Sequence, residues 1–235
     1  MDVRALAFDV FGTVVDWRSS VIGELRRFGG RLGVDADWPA FADRWRDGYA
    51  PAMDKVRRGE LPWTRLDGLH RMILTELLAA EGISAPDAEV DDLNRAWHRL
   101  DPWPDAVDGL TRLKRSFVIT TLSNGNVSLL TNMAKRAGLP WDCVISAELF
   151  GHYKPDAEVY LGCADLLDVA PAELMLVAAH PSDLRAARAT GLRTAYVARP
   201  LERGPCAPTP AVEDGEFDFF ATGFANLADQ LDASR

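Results

Sequence analysis

Apolar residues fall along this 235-residue chain in three successive rhythms. The first is brief: "VRALAFDV", near the start, is a short apolar run of the kind that forms a strand buried on both faces. From Trp17 to about Leu100 the apolar positions recur three and four residues apart, in "SVIGELRRFGGRLG", "WPAFADRWRDGYAPAMDKVRRG", "LPWTRLDGLHRMILTELLAAEG" and "PDAEVDDLNRAWHRL". Gly and Pro separate these segments, so the pattern predicts roughly four amphipathic helices with no strand between them. After "DPWPDA" strands and helices alternate: "FVITTLS" then "NVSLLTNMAKRAG", "CVISAE" then "DAEVYLGCADLLD", "LMLVAA" then "SDLRAARATG", and "TAYVAR". That alternation predicts a parallel sheet covered on both faces. One strand alone cannot form a sheet, so the first strand belongs with the later series. The expected organisation is an α/β core of residues 1–15 and 101–235, interrupted by a helical insert of residues 16–100. The Pro-rich "RPLERGPCAPTPAVEDG" reads as a loop or excursion before a last strand, "FDFFAT", and a closing helix.

Composition narrows the functional classes. With 48% hydrophobic residues the chain can bury a normal core. A net charge of −9 argues against nucleic-acid binding, which needs a basic surface, and requires local basic groups wherever an anion is to be held. "MDVRALAFDV" carries an acid near its start and no apolar stretch long enough for a signal segment, and no apolar run of about 18 residues occurs. The expectation is a cytoplasmic protein with no membrane span. Cys143, Cys163 and Cys206 are odd in number and widely spaced, which suits reduced thiols used in packing better than disulfides or a zinc site.

In a doubly wound sheet, ligands bind outside the carboxyl ends of the strands. Polar groups fall at those ends in order: Asp9 after the first strand, Ser123 and Asn124 after "VITTL", Lys154 in "YKPD", and Asp183 shortly after "LMLVAA". Each alone is more often a cap or turn residue; all of them at strand ends are hard to assign to capping.

At these residues the chain resembles the haloacid dehalogenase superfamily. Its members carry a nucleophilic Asp in a DxxGT turn, a Ser or Thr after a second motif strand, a Lys, and an acidic fourth motif. The corresponding segments here are "DVFGTVVD", "LSNGN", "KPD" and "VAAHPSDLRAARATGLRTAYV". The resemblance implies a Rossmann-like parallel-sheet core with an inserted helical cap domain. Most members are magnesium-dependent phosphatases, which use a second Asp two residues after the nucleophile as an acid and hold the metal with an Asp after the fourth-motif strand. This chain has Phe11 at the first position and Ala178 and Ala179 at the second, and neither residue type can transfer a proton or ligate a hard cation. No metal and no cofactor are therefore expected.

Phe11 and the full "SNGN" run are similar to the L-2-haloacid dehalogenases in particular, in which the Asp attacks the halogen-bearing carbon and water then cleaves the aspartyl ester. By that resemblance Asp9 is the nucleophile of a reaction on a small anionic haloacid. Thr13, Ser123 and Asn124 orient it and bind the substrate carboxylate. Lys154 balances Asp9 and Asp183, and Asp183 helps to activate the hydrolytic water. Arg46, directly after a Trp in the cap, receives the halide; Arg44 is its competitor on helical spacing. Tyr160 matches a further active-site position, although a core aromatic in a helix reads the same way. The subfamily's best-known members have Ser and Asn where this chain has Ala178 and His180, so His180 either replaces the Asn as a donor, acts as a base, or serves in capping or packing. Many relatives are dimers, which makes a homodimer possible, but no residue pattern here proves one. Two other readings stand beside this one: a phosphatase or phosphonate hydrolase of the same fold, and a catalytically silent binding member. The first lacks an acid at Ala179, and the second gains little from the charge cluster of Asp9, Lys154 and Asp183.

Overall fold

The computed structural model describes residues 2–208 and 211–234. Two residues of the Pro-rich segment, at 209 and 210, therefore lie outside the described residues. The chain divides into two compact units, one built from the residues up to Asp16 and from Asp101 onward, the other from Trp17–Leu100.

The first unit begins with β1 (Ala5–Phe8) and the two-residue β2 (Val15–Asp16). The intervening unit holds α1 (Trp17–Leu32), α2 (Trp38–Asp47), α3 (Tyr49–Arg57), α4 (Leu66–Ala80) and α5 (Asp87–Asn94), the last followed by a tight turn over Arg95–His98. The chain re-enters the first unit at β3 (Asp101–Pro102), which pairs antiparallel with β2. There follow α6 (Ala106–Lys114), β4 (Val118–Ser123), α7 (Val127–Ala137), β5 (Cys143–Ser146), α8 (Ala157–Leu166), β6 (Leu174–Ala178), α9 (Pro181–Ala189), β7 (Arg193–Val197), β8 (Phe219–Ala221) and α10 (Phe224–Ala233).

The six longer strands form one parallel sheet in the order β5-β4-β1-β6-β7-β8. Its central members β1 and β6 are buried at every position, as "ALAF" and "LMLVA" require of strands covered on both faces. On one face Ala5, Ala7 and Leu176 pack with Val159 and Cys163 of α8 and Leu184 of α9. On the other, the Phe8 ring meets Phe224 of α10 edge-on at 5.6 Å, and Gly109 of α6 lets Phe224 come so close that a Cβ there would stand 2.4 Å from it. The expected parallel sheet with helices on both faces is what the structure contains.

Local differences from the sequence reading have physical causes. The segment "WPAFADRWRDGYAPAMDKVRRG", read as one helix, is two, α2 and α3, with Gly48 between them. Pro51 has no amide to donate to the preceding turn, so it fits only in the first turn of a new helix. Gly48 itself lies where a Cβ would stand 2.7 Å from Ile73 Cγ2. Cys206 is exposed, so only Cys163, and partly Cys143, behave as packing residues; all three are free thiols. Among the described residues no helix is long and apolar enough to cross a membrane.

Candidate active site

The register of the sheet puts Phe8 beside Thr121 on one flank and Val177 on the other, so β1, β4 and β6 finish nearly level. The chain runs from β1 to β4 and β5 on one side and later to β6, β7 and β8 on the other, and a crevice forms outside the strand ends where that direction reverses. Asp9 leaves the sheet at this point, its amide still bonded to Val177 O at 3.0 Å.

The turn that follows is held from outside. Gly12 takes φ +82°, a conformation that side-chain-bearing residues rarely adopt. Its carbonyl accepts a hydrogen bond from Trp103 Nε1 at 2.8 Å, and the Thr13 carbonyl accepts one from Arg199 Nε at 2.8 Å. With the loop fixed, the nucleophile candidate is fixed as well.

Asp9 is only 7% exposed, and partners meet both its oxygens. Oδ1 accepts from Lys154 Nζ at 3.0 Å; Oδ2 accepts from Thr13 Oγ1 at 2.8 Å and lies 3.0 Å from His180 Nδ1. The Thr13 oxygen in turn accepts from the Ala179 amide at 2.9 Å, which directs the hydroxyl proton to Asp9. Lys154 also reaches Asp183 Oδ2 at 2.5 Å, and Asp183 Oδ1 accepts from the buried Tyr160 hydroxyl at 2.6 Å. Asp183 sits in the first turn of α9, where the helix field favours a carboxylate.

The charges are strongly coupled. Burial alone would raise the Asp9 carboxyl, but Lys154 and then His180 outweigh it and hold Asp9 far below the usual carboxylate range, so it is ionised. Burial would lower the Lys154 ammonium, yet Asp183 and Asp9 together raise it. His180 follows the same logic: burial disfavours its cation, while hydrogen bonds to Asp9 and Glu202 push it up to about 10. The Tyr160 phenol is raised by burial and by Asp183 and remains a donor.

Ser123 and Asn124 close β4 beside this group. The Asn124 side chain clasps the Lys154 backbone, its Oδ1 accepting from Lys154 N at 2.6 Å and its Nδ2 donating to Lys154 O at 3.3 Å. Ser123 Oγ accepts from the Gly125 amide at 3.2 Å. The buried Phe11 ring lies against Gly125, where a Cβ would stand 3.1 Å from it. Thus Asp9, Phe11, Thr13, Ser123, Asn124, Lys154, Tyr160, His180 and Asp183 all come together at the same strand ends.

These residues do not fit a magnesium ion. The oxygens of Asp9 face two cationic groups and a hydroxyl, β6 ends at Ala178 and is followed by Ala179, and Phe11 offers only carbon.

Arg46 belongs to the other unit. There its guanidinium lies over the Tyr49 ring at 4.5 Å and the Trp17 ring at 5.8 Å, and its Nε is buried without a hydrogen-bond partner. Arg44, its competitor by spacing, is exposed and paired with Glu81.

Sequence reasoning passed over Trp103, Arg199 and Glu202. The last two come from the Pro-rich segment after β7, read as a loop; Arg199 also bonds Asp105 at 2.8 Å, and Glu202 bonds His180 Nε2 at 3.0 Å. Only the proximity of an Arg and a Glu to the end of a predicted strand hinted at them.

Residues 3–191 match the family model described as haloacid dehalogenase-like hydrolase, and the chain belongs to that family. It is similar to (S)-2-haloacid dehalogenase 1 of Pseudomonas sp. (strain CBS-3), with 33% identity over 208 residues, covering 84% of this chain and 85% of the relative. Two crystal structures match with a TM-score of 0.95 each. One is the defluorinating L-2-haloacid dehalogenase Rha0230, 47% identical and covering 98% of this chain and 95% of its own; the other is the L-2-haloacid dehalogenase PA0810, 48% identical and covering 98% and 99%.

Proposed function

We propose that this protein hydrolyses short L-2-haloacids to D-2-hydroxy acids, through an ester formed on Asp9 and without a metal ion. The observation that carries this reading is an ionised, nearly buried Asp9 held by Lys154, Thr13 and His180, with carbon at Phe11 and Ala179 where metal-dependent phosphatases of the superfamily need oxygen. The names of the relatives support the same substrate class.

The chemistry runs in two halves. In the first, an Asp9 oxygen attacks the halogen-bearing carbon, a C–O bond forms with inversion, and the halide departs with its electron pair. A carboxylate is a modest nucleophile that gains from partial desolvation and fixed aim, and a halide needs donors rather than a proton. Thr13 fixes the aim, Lys154 keeps Asp9 charged, and the Ser123–Asn124 turn binds the substrate carboxylate. Residues 16–100 serve as the cap domain, from which Arg46 receives the halide. In the second half, water attacks the Asp9 carboxyl carbon with help from Asp183, which Tyr160 holds in place.

A single turnover in H₂¹⁸O with enzyme in excess tests the mechanism. The heavy oxygen should enter the peptide containing Asp9 while the first product stays unlabelled. Heavy oxygen passing directly into the hydroxy acid, with none on Asp9, would remove Asp9 as the nucleophile. Halide release from a panel of 2-haloacids should be unaffected by EDTA, beside inert p-nitrophenyl phosphate. Fluoroacetate belongs in the panel because one 47% identical relative is a defluorinating enzyme.

A further inference from the structure

The imidazole of His180 bridges two carboxylates. Nδ1 lies 3.0 Å from Asp9 Oδ2, and Nε2 lies 3.0 and 3.1 Å from the two oxygens of Glu202. Glu202 comes from the segment after β7 and is only 9% exposed. Its carboxylate fits only because residue 12 is glycine: a Cβ there would stand 2.1 Å from Glu202 Oε1. Burying a second carboxylate so near the nucleophile is costly unless it is paired, and its pairing is with His180.

In the resting protein both ring nitrogens face carboxylates, so the ring is a cation and cannot accept a proton from water. Esterification of Asp9 removes one of the two negative charges. Lys154, which shares Asp9 with the ring, stays paired with Asp183 at 2.5 Å. The ring then has a single carboxylate, Glu202, to hold a single proton, and 28% of its side chain is open to solvent as an exit for the other.

We propose that Glu202 is the positioning residue that turns His180 into the base of the second half-reaction: it retains the Nε2 proton, so that once Asp9 is esterified Nδ1 is free to take a proton from the water attacking the Asp9 carboxyl carbon. This rests on the aspartyl-ester reading above. The steps balance. Halide departure is followed by loss of the Nδ1 proton to solvent. Water then forms a bond to the carboxyl carbon and passes one proton to Nδ1. Cleavage of the ester C–O bond lets that proton move to the departing hydroxy-acid oxygen. Asp9 is left as a carboxylic acid, and its proton returns to Nδ1, restoring the cation between two carboxylates. The net products are hydroxy acid, halide and one proton.

The test is rapid-quench kinetics with L-2-chloropropionate on the wild type, Glu202→Gln, His180→Asn and the double variant. In Glu202→Gln the halide burst should persist, the ester mass should accumulate on the Asp9 peptide, and steady-state turnover should fall by about 30-fold or more. In the His180→Asn background, Glu202→Gln should add no more than about a twofold change, since its partner is gone. A burst and turnover that fall together, an unchanged turnover, or effects that multiply in the double variant would each overturn the proposal. The wild type gives an independent readout that needs no variant to fold: with a pH indicator, the proton should appear with the halide burst, whereas its appearance with the hydroxy acid would reject the switch. Failure of the underlying reading looks different, because the wild type would then show no ester on Asp9.

Discussion

Two histidines, one in each unit, share a side chain and differ in charge, His70 being neutral and His180 a cation. His70, in α4, is 1% exposed; its ring stacks on Trp97 at 4.3 Å. Burial first, and then the nearby Arg46 cation, lower it to about 3, and the weaker pull of Asp67 does not compensate. His180 meets carboxylates on both nitrogens and rises to about 10. Burial opposes the cation in both; what decides the outcome is whether the residues brought up to the ring are anions or aromatics and a cation. The charged ring adjoins the nucleophile candidate, and the neutral one packs among the aromatics that shelter Arg46.

The hardest way to break the charged side of this comparison is Asp9→Asn. It removes both the proposed nucleophile and one of the two anions beside His180, so halide release, including the burst, should fall by at least about 10⁴-fold, as measured with a halide-sensitive electrode. Lys154→Ala comes next. It leaves Asp9 and Asp183 facing each other without their common cation, and turnover should fall by at least about 100-fold while far-UV circular dichroism is retained. Normal turnover would take Lys154 out of the site.

In the other unit the contrast lies between neighbouring arginines. Arg46→Ala should also cost about 100-fold in turnover, and Arg44→Ala less than about twofold, because Arg44 is exposed and meets an exposed Glu81 and, at 5.9 Å, the Phe41 ring. Equal effects would mean that packing against Tyr49 and Trp17 does not mark the functional residue. The last effect is on stability and leaves turnover aside. For His70 the folded value lies below the unfolded one near 6.5, so between pH 6.5 and about 3 the unfolded chain binds a proton that the folded protein does not. Stability from this residue is complete above pH 6.5 and falls as pH drops, by roughly 1.4 kcal/mol for each unit. His180 has the reverse sign: its contribution is complete below pH 6.5 and fades as pH rises toward about 10. Urea midpoints for His70→Gln should be flatter than wild type below pH 6.5 and parallel to it above; parallel acid limbs would show that His70 takes up a proton when folded.

The fold was legible because each rhythm had one physical solution. "LMLVAA" has no polar face and is too short for a buried helix, which reads as a strand covered on both sides, and the order of strands and helices then pointed to a parallel sheet. The places of Asp9, Ser123, Asn124, Lys154 and Asp183 followed from strand ends. What escaped was non-local. Gly48 separates two helices because of Pro51 and of Ile73, which lies 25 residues further along; no periodicity records that. Arg199 bonds the Asp9–Thr13 loop from 186 residues away and Glu202 bonds His180, and in the sequence they are two charges in a Pro-rich stretch like any others. Nor could a single sequence reveal that Asn124 uses its side chain on the Lys154 backbone.

The short ribbon of β2 and β3 has a consequence for how this molecule can change over generations. Val15 lies opposite Pro102 and Asp16 opposite Asp101, so the chain departs and returns through neighbouring strands about 5 Å apart. Trp17–Leu100 is thus a cassette hung on a hairpin. A two-residue turn could close the gap it leaves, and a lineage could lengthen, shorten or exchange it without altering the register of a single strand in the sheet. Deleting residues 17–100 in favour of Asn-Gly should give a core that still folds, a minimal chassis onto which other inserts can be spliced.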